Sequence, residues 1–343
     1  MNNENETLYT LADRVMRDYI KVYLELIKAT KGLSDIKEKN ASSLEQKLII
    51  LGGISSPLNP ANTSAADIVQ EWERLKAIPF DIEQAITMGV YIELRSKVKT
   101  YLDQLDSLTK GYMVFSPELI VERPYFLPIF QRLANLASKA ALKKKIGSVS
   151  DNSISKNAAT KLSELLNTIK PGRVLNREQV LQSVEPTLEG IVRDLVGRVL
   201  LESIVANALD LLNLPYKREN EYSSLKGVIY DFRADFVVPN EESPMAFIEV
   251  RKSSSRHASL YAKDKMFSAI NWKGKNKTVL AILVVDGPWT AQTLKAMARI
   301  FDYVVPMTSV SQVAEVISDY LKGDKTKLKW LVEFSIKPSN EAS

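Results

Sequence analysis

Two carboxylates and the cations beside them carry the chemistry legible in this chain. Asp235 stands in Arg233-Ala234-Asp235-Phe236 and Glu249 in Ile248-Glu249-Val250-Arg251-Lys252-Ser253, with thirteen residues between the two acids. Tyr230 to Val238 is rich in aromatic and β-branched residues, Pro239 to Pro244 interrupts it, and Met245 to Lys252 reads as the return strand of a hairpin. Alternation along a strand places Arg233 with Asp235 on one face and Glu249 with Arg251 on one face, so two carboxylates and a cation can converge. A hard divalent cation such as Mg2+ takes oxygen ligands, usually one or two carboxylates plus water and substrate phosphate. Asp235 and Glu249 therefore suit an ion held against a scissile phosphodiester, and the backbone carbonyl of Val250 offers a third ligand. A nearby Lys or Arg can stabilise negative charge building on the phosphate. Asp231 lies on the same strand face and competes with Asp235 for the first position.

The residues that follow are basic. From Arg251 to Lys277 there are eight cations (Arg251, Lys252, Arg256, Lys263, Lys265, Lys273, Lys275, Lys277) against the single acid Asp264, whereas the whole chain carries a net charge of only +5. That concentration fits a phosphate-contacting surface. Ser253, Ser254 and Ser255 have no partner base for nucleophilic catalysis and read as a helix cap and phosphate-contacting turn, since hydroxyls and helix N-termini both bind phosphate. Arg256, His257, Lys263, Lys265 and Lys273 extend the expected DNA contact.

These residues resemble the PD-(D/E)xK nuclease superfamily, and more particularly type II restriction endonucleases. The resemblance rests on Arg233-Ala234-Asp235-Phe236, on Ile248 to Ser253 and on the helix Tyr261 to Ile270. It implies a restriction-endonuclease-like mixed β-sheet flanked by helices, in the α/β (α+β) class, and a Mg2+-dependent hydrolase acting on double-stranded DNA. By it Asp235 and Glu249 are metal ligands, and a helix before the sheet presents a glutamate to the site, which would be Glu202 with Glu189 as fallback. The chain departs from the pattern at the third position, where Arg251 stands in place of lysine and Lys252 comes next. Arginine stays protonated, so Arg251 can supply charge but no general base. Either Arg251 substitutes, or a bulge turns Lys252 into the site.

The elements that must position these residues follow from periodicity. Apolar spacing predicts a long amphipathic helix over residues 7 to 30 ended by Gly32, a second over Leu44 to Leu51 before the breaker run Gly52 to Pro57, and a third capped by Thr63 or Ser64. Phe80 to Leu108 reads as helix broken near Gly89, and Pro128 to Lys145 as another. Residues 147 to 157 are polar and read as a linker or mobile loop. Ala158 to Ile169 and Arg177 to Val184 are helical, with a turn at Pro171-Gly172 between them. Leu188 to Leu212, opened by Pro186, is a long helix leading into the hairpin. Thr278 to Val285 is a strand buried on both faces. A helix over Thr290 to Arg299, a strand at Tyr303 to Val305, a helix over Ser309 to Leu321 and an edge strand at Lys329 to Ile336 complete a mixed sheet. The expected division is an α-helical N-terminal domain over 1–146 for DNA recognition and dimerisation, connecting helices over 147–186, and a catalytic domain over 187–343.

Composition narrows the classes. With 343 residues, 45% hydrophobic and 25% charged, the chain is an ordinary globular protein large enough for two domains. It has no cysteine, which excludes disulfides and thiolate sites. No Gly-rich nucleotide loop and no histidine pair for zinc occurs, and the longest apolar run is too short to span a bilayer. The polar N-terminus is unlike a signal peptide, so a cytoplasmic protein with no membrane partner and no nucleotide cofactor is expected. Tyr112, Phe115, Tyr125, Phe126 and Phe130 read as core rather than base-stacking residues, and Lys139, Lys143, Lys144 and Lys145 as a solvated helix end. The expected function is site-specific cleavage by a homodimer in a restriction-modification setting. A repair or junction nuclease and a catalytically inactive DNA-binding protein are the alternatives.

Overall fold

The strand predicted from Thr278 to Val285 forms as β4 (Leu280–Asp286) in the computed structural model, and every residue from Leu280 to Val285 is buried. The structure describes residues 5–76, 80–168, 177–253 and 258–338. Four further strands join it: β1 (Lys217–Arg218), β2 (Phe236–Val238), β3 (Ala246–Lys252) and β5 (Tyr303–Pro306). Their order is β1-β2-β3-β4-β5. The first two pairings are antiparallel and the last two parallel, so the fold is mixed α+β. A parallel β3–β4 pair needs a crossover, supplied by a helix over Ala258–Lys275.

The helices in chain order are α1 (Leu8–Ala29), α2 (Leu44–Gly53), α3 (Ala65–Leu75), α4 (Ile82–Leu108), α5 (Pro117–Glu122), α6 (Leu127–Leu133), α7 (Lys139–Ile146), α8 (Lys156–Thr168), α9 (Arg177–Leu195), α10 (Leu201–Asp210), α11 (Ala258–Lys275), α12 (Ala291–Met297) and α13 (Val310–Leu321). Side-chain caps set several of their starts: Ser43 with Gln46 forms a capping box on α2, and Ser64, Asp81, Ser116 and Ser138 accept from backbone N–H groups of α3, α4, α5 and α7. Among the described residues, no helix is long and apolar enough to cross a membrane.

The chain divides into two compact units, Met1–Tyr19 with Ala41–Leu200, and Ile20–Asn40 with Leu201–Ser343. The first is helical. Its core includes the predicted aromatic set, with Phe126 edge-on to Tyr101 at 5.1 Å and Phe115 edge-on to Phe130 at 6.0 Å. The second holds the sheet. Phe247, Ala281, Leu283 and Val285 line one face and pack with Trp272, Met297 and Phe301.

Several elements depart from expectation. The unit boundary falls at Leu200, not at the polar stretch 147–157, which closes on itself through Ser150 and Ser153 and buries Val149 and Ile154. Gly52 and Gly53 continue α2 instead of breaking it, and glycine at 52 lets α4 pack close, where a Cβ would lie 3.1 Å from the Gln84 carbonyl. Gly89 leaves α4 intact, since the Tyr19 ring fills the space of its missing side chain. The helix expected over Pro128 to Lys145 is split where Ser138 starts α7. Pro186 sits inside α9, and Val196–Leu200 is a π-helical turn before α10. Residues 230–235 form no strand beyond the isolated Leu225–Phe232 bridge, and Lys329 to Ile336 is not an edge strand. The turn at Pro171-Gly172 lies outside the described residues.

Candidate active site

Asp235 is placed by backbone bonds before its side chain acts. The Tyr222 hydroxyl donates to the Ala234 carbonyl at 2.8 Å and accepts from the Ala234 N–H at 2.6 Å, and the Asp235 carbonyl accepts from Glu219 N–H at 3.0 Å. β2 then pairs Phe236 with Ile248, which brings the Asp235 side chain beside β3, where Oδ2 accepts the Val250 N–H at 2.7 Å. Glu249 follows on β3 opposite Leu283 and is wholly buried.

Arg251 joins the two acids. Its Nη1 donates to Asp235 Oδ2 at 2.9 Å and to the Val250 carbonyl at 2.5 Å, while Nη2 lies 3.0 Å from Glu249 Oε2. The three oxygens that the sequence offered to a metal ion thus gather about one guanidinium. A second cation comes from α11, where Lys265 places Nζ 2.9 Å from Glu249 Oε2. Glu249 Oε1 has no hydrogen-bond partner among the described residues.

The electrostatics follow from burial. Removal from water pushes the Glu249 carboxyl up to about 8, Asp235 adds to the rise, and Lys265 and Arg251 pull against it without cancelling it. Glu202, partly buried on α10, is raised by burial and then by the charge of Asp235. Burial works against the Arg251 cation, yet Glu249 and Asp235 outweigh it and hold its pKa above the ordinary guanidinium value.

Several expected site residues are corrected. Lys252 falls on the opposite face of β3 from Glu249, in register with Asp286 and with Nζ 4.0 Å from its Oδ2. No bulge turns it inward. Lys265 is not a surface phosphate contact, because the face of α11 that packs Trp272 on Phe247 at 4.8 Å also carries Lys265, two turns earlier, to Glu249. Lys273 is fully buried and donates to Asp302 Oδ2 at 2.5 Å, so it cannot meet DNA in this fold. Ser253 is buried too, its N–H donating to the Asp286 carbonyl at 2.9 Å. Arg233 does not converge with Asp235 but stays exposed beside Glu219, and Asp231 is an exposed partner of Lys226 at 2.5 Å. Lys263 is exposed on α11, as expected. Ser254, Ser255, Arg256 and His257 lie outside the described residues.

Glu202 contributes charge but completes no ligand cluster: among the described residues, no group of three or more His, Cys, Asp or Glu could hold a metal ion. Glu189 belongs to the first unit, in a cleft of about 380 Å3 with Tyr91, Arg95, Glu185 and Arg193. Sequence reasoning placed Lys265 on the DNA-contacting surface and missed its place beside Glu249. Its signal was a lysine in the stripe Ala262, Lys265, Ala269, Trp272, whose spacing is that of a buried helix face.

In comparisons with known proteins, no family model, no curated protein and no solved structure matches this chain.

Proposed function

We propose that the chain is a Mg2+-dependent nuclease that hydrolyses phosphodiester bonds in double-stranded DNA, of the type II restriction kind, on a restriction-endonuclease-like sheet. The observation that carries this reading is the convergence of Asp235 Oδ2, Glu249 Oε2 and the Val250 carbonyl on a single cation. Three oxygens, two of them carboxylate, suit a hard divalent ion. Asp235, Glu249 and Val250 would hold it, and the ion would supply Lewis-acid charge and an activated water at the scissile phosphate. Around that point the chain's own groups have separate tasks. The Lys265 ammonium, fixed by Glu249, would face negative charge developing on the phosphate, and Glu202 adds a further acid beside Asp235, its pKa raised by burial.

Incubating the protein with plasmid and Mg2+ tests the reading. Discrete bands are expected. A smear would mark the repair or junction nuclease, and no cleavage the inactive DNA-binding protein. Asp235→Ala and Glu249→Ala should still bind DNA while cutting at least about a hundredfold more slowly, the scale of losing a key electrostatic group. Undiminished cutting by either variant refutes the assignment. Discrete cutting within a two-fold symmetric site is met most simply by a homodimer. A monomer by light scattering, both free and on a cleavage-blocked site, would count against that assembly.

A further inference from the structure

We propose that the Arg251 guanidinium is the resident cation of the metal site, which holds the ligand oxygens together in the ion-free protein and must withdraw before a divalent ion can bind. The inference rests on the nuclease reading above and concerns what governs entry to that site. Nη1 and Nη2 stand 2.5 to 3.0 Å from Asp235 Oδ2, the Val250 carbonyl and Glu249 Oε2. A hard ion bound by the same oxygens needs distances of about 2.0 to 2.6 Å. Ion and guanidinium would therefore compete for one volume.

Charge leads to the same conclusion. The carboxyl groups of Asp235 and Glu249 already face the cations of Arg251 and Lys265, so the cluster holds no excess of negative charge as it stands. A dication added with both cations in place would leave an excess of at least two positive charges, which the neighbouring Glu202 and the exposed Asp264 offset only in part. One cation has to leave, and the two differ in their way out. The Arg251 side chain is 29% exposed near the end of β3, whereas that of Lys265 is 9% exposed and anchored on a packed helix face. Arg251 is the group that can swing to water. The unpartnered Glu249 Oε1 is a buried acceptor that neither cation satisfies.

If the site is open only while Arg251 is withdrawn, apparent ion affinity is lowered by the fraction of time it is open, and removing the guanidinium should restore it. Calorimetric titration of Mg2+ and Mn2+ into the full chain without DNA tests this on wild type, Arg251→Ala and Arg251→Gln, with Glu249→Gln as the blank. Both Arg251 variants should bind the ions about tenfold more tightly or better than wild type. They should also melt at a lower temperature than wild type without ion and gain more in Tm on saturation. Equal or weaker binding by the variants overturns the resident-cation inference and leaves the nuclease reading intact. No binding by any protein at millimolar ion overturns the nuclease reading, and this inference with it. Should Arg251→Ala fail to fold, Arg251→Gln keeps a donor toward Asp235 and carries the comparison alone.

Discussion

Glu249 lies wholly buried on β3 with Arg251 and Lys265 against one of its oxygens. An acid whose pKa is raised on folding holds its proton more tightly in the native chain than in the unfolded one, so its contribution to stability is fully present below the usual 4.5 and is lost as pH rises through about 8. We predict that the ion-free protein loses up to about 1.4 kcal/mol per pH unit across that window through this group, and that Glu249→Gln lacks this component. Urea unfolding of both proteins along a pH series checks it, and parallel slopes would rule it out. The same proton must leave when an ion binds, so below about 8 the affinity for Mg2+ should rise with pH. If the chain is the proposed nuclease, the cation beside the acids is Lys265 and not Lys252, since Lys265 lies 2.9 Å from Glu249. Lys265→Ala should slow cleavage about a hundredfold or more, whereas Lys252→Ala should stay within a few-fold of wild type. Reversed effects would return the role to Lys252. Glu249 was legible because β3 announces itself by composition, whereas Asp235 was singled out by its place in the motif and not by a strand, since residues 230–235 form none. The lysine was not legible, because it comes from the separate helix α11, and only packing against Phe247 shows which face turns inward.

At the scale of elements, α11 shows why a count of charges misleads. Of its cations, Lys265 serves Glu249 and Lys273 serves Asp302, while Lys263 and Lys275 remain exposed. Beyond the helix, Lys277 pairs with Glu333 at 2.8 Å. Neutralising Lys263 and Lys275 together should flatten the salt dependence of DNA binding by about one to two units of slope. An unchanged slope would assign them to a solvated face. Lys273→Met should instead destabilise the fold with no effect on that slope. Losing one partner of a buried ion pair costs about 3–5 kcal/mol, and the low end applies here. Asp302 would still accept N–H groups from Ala281, Lys329 and Trp330, each at 2.8 Å. Unfolding by urea measures it, and a loss under about 1 kcal/mol would show that the backbone donors suffice. The helices were readable from their long apolar periodicities, and the central strand from an unbroken apolar run. The glycines of α2 and α4 were misread because a close neighbour, Ala85 or the Tyr19 ring, decides whether glycine breaks a helix or lets one pack.

For the molecule as a whole, the segment from Ile20 to Asn40 belongs with Leu201–Ser343 although the stretch Ala41–Leu200 separates them. Within that unit, Gly32 approaches the Thr308 carbonyl so closely that a Cβ would sit 3.2 Å from it, and Tyr23 is buried with its pKa raised by burial and by the charge of Asp286. The sheet-bearing unit is therefore discontinuous in sequence, and it cannot be moved between proteins as one uninterrupted cassette. A fragment starting at Leu201 should expose apolar surface and aggregate, and a peptide spanning residues 20–40 added in trans should rescue its solubility. A soluble, cooperatively melting Leu201–Ser343 fragment would show that the early segment is dispensable. The hand-over inside α1 also constrains how the protein can form: the ribosome releases one turn-by-turn helix whose second half waits about 170 residues before the rest of its unit begins to emerge, so a nascent chain carries an unsatisfied amphipathic segment throughout that interval.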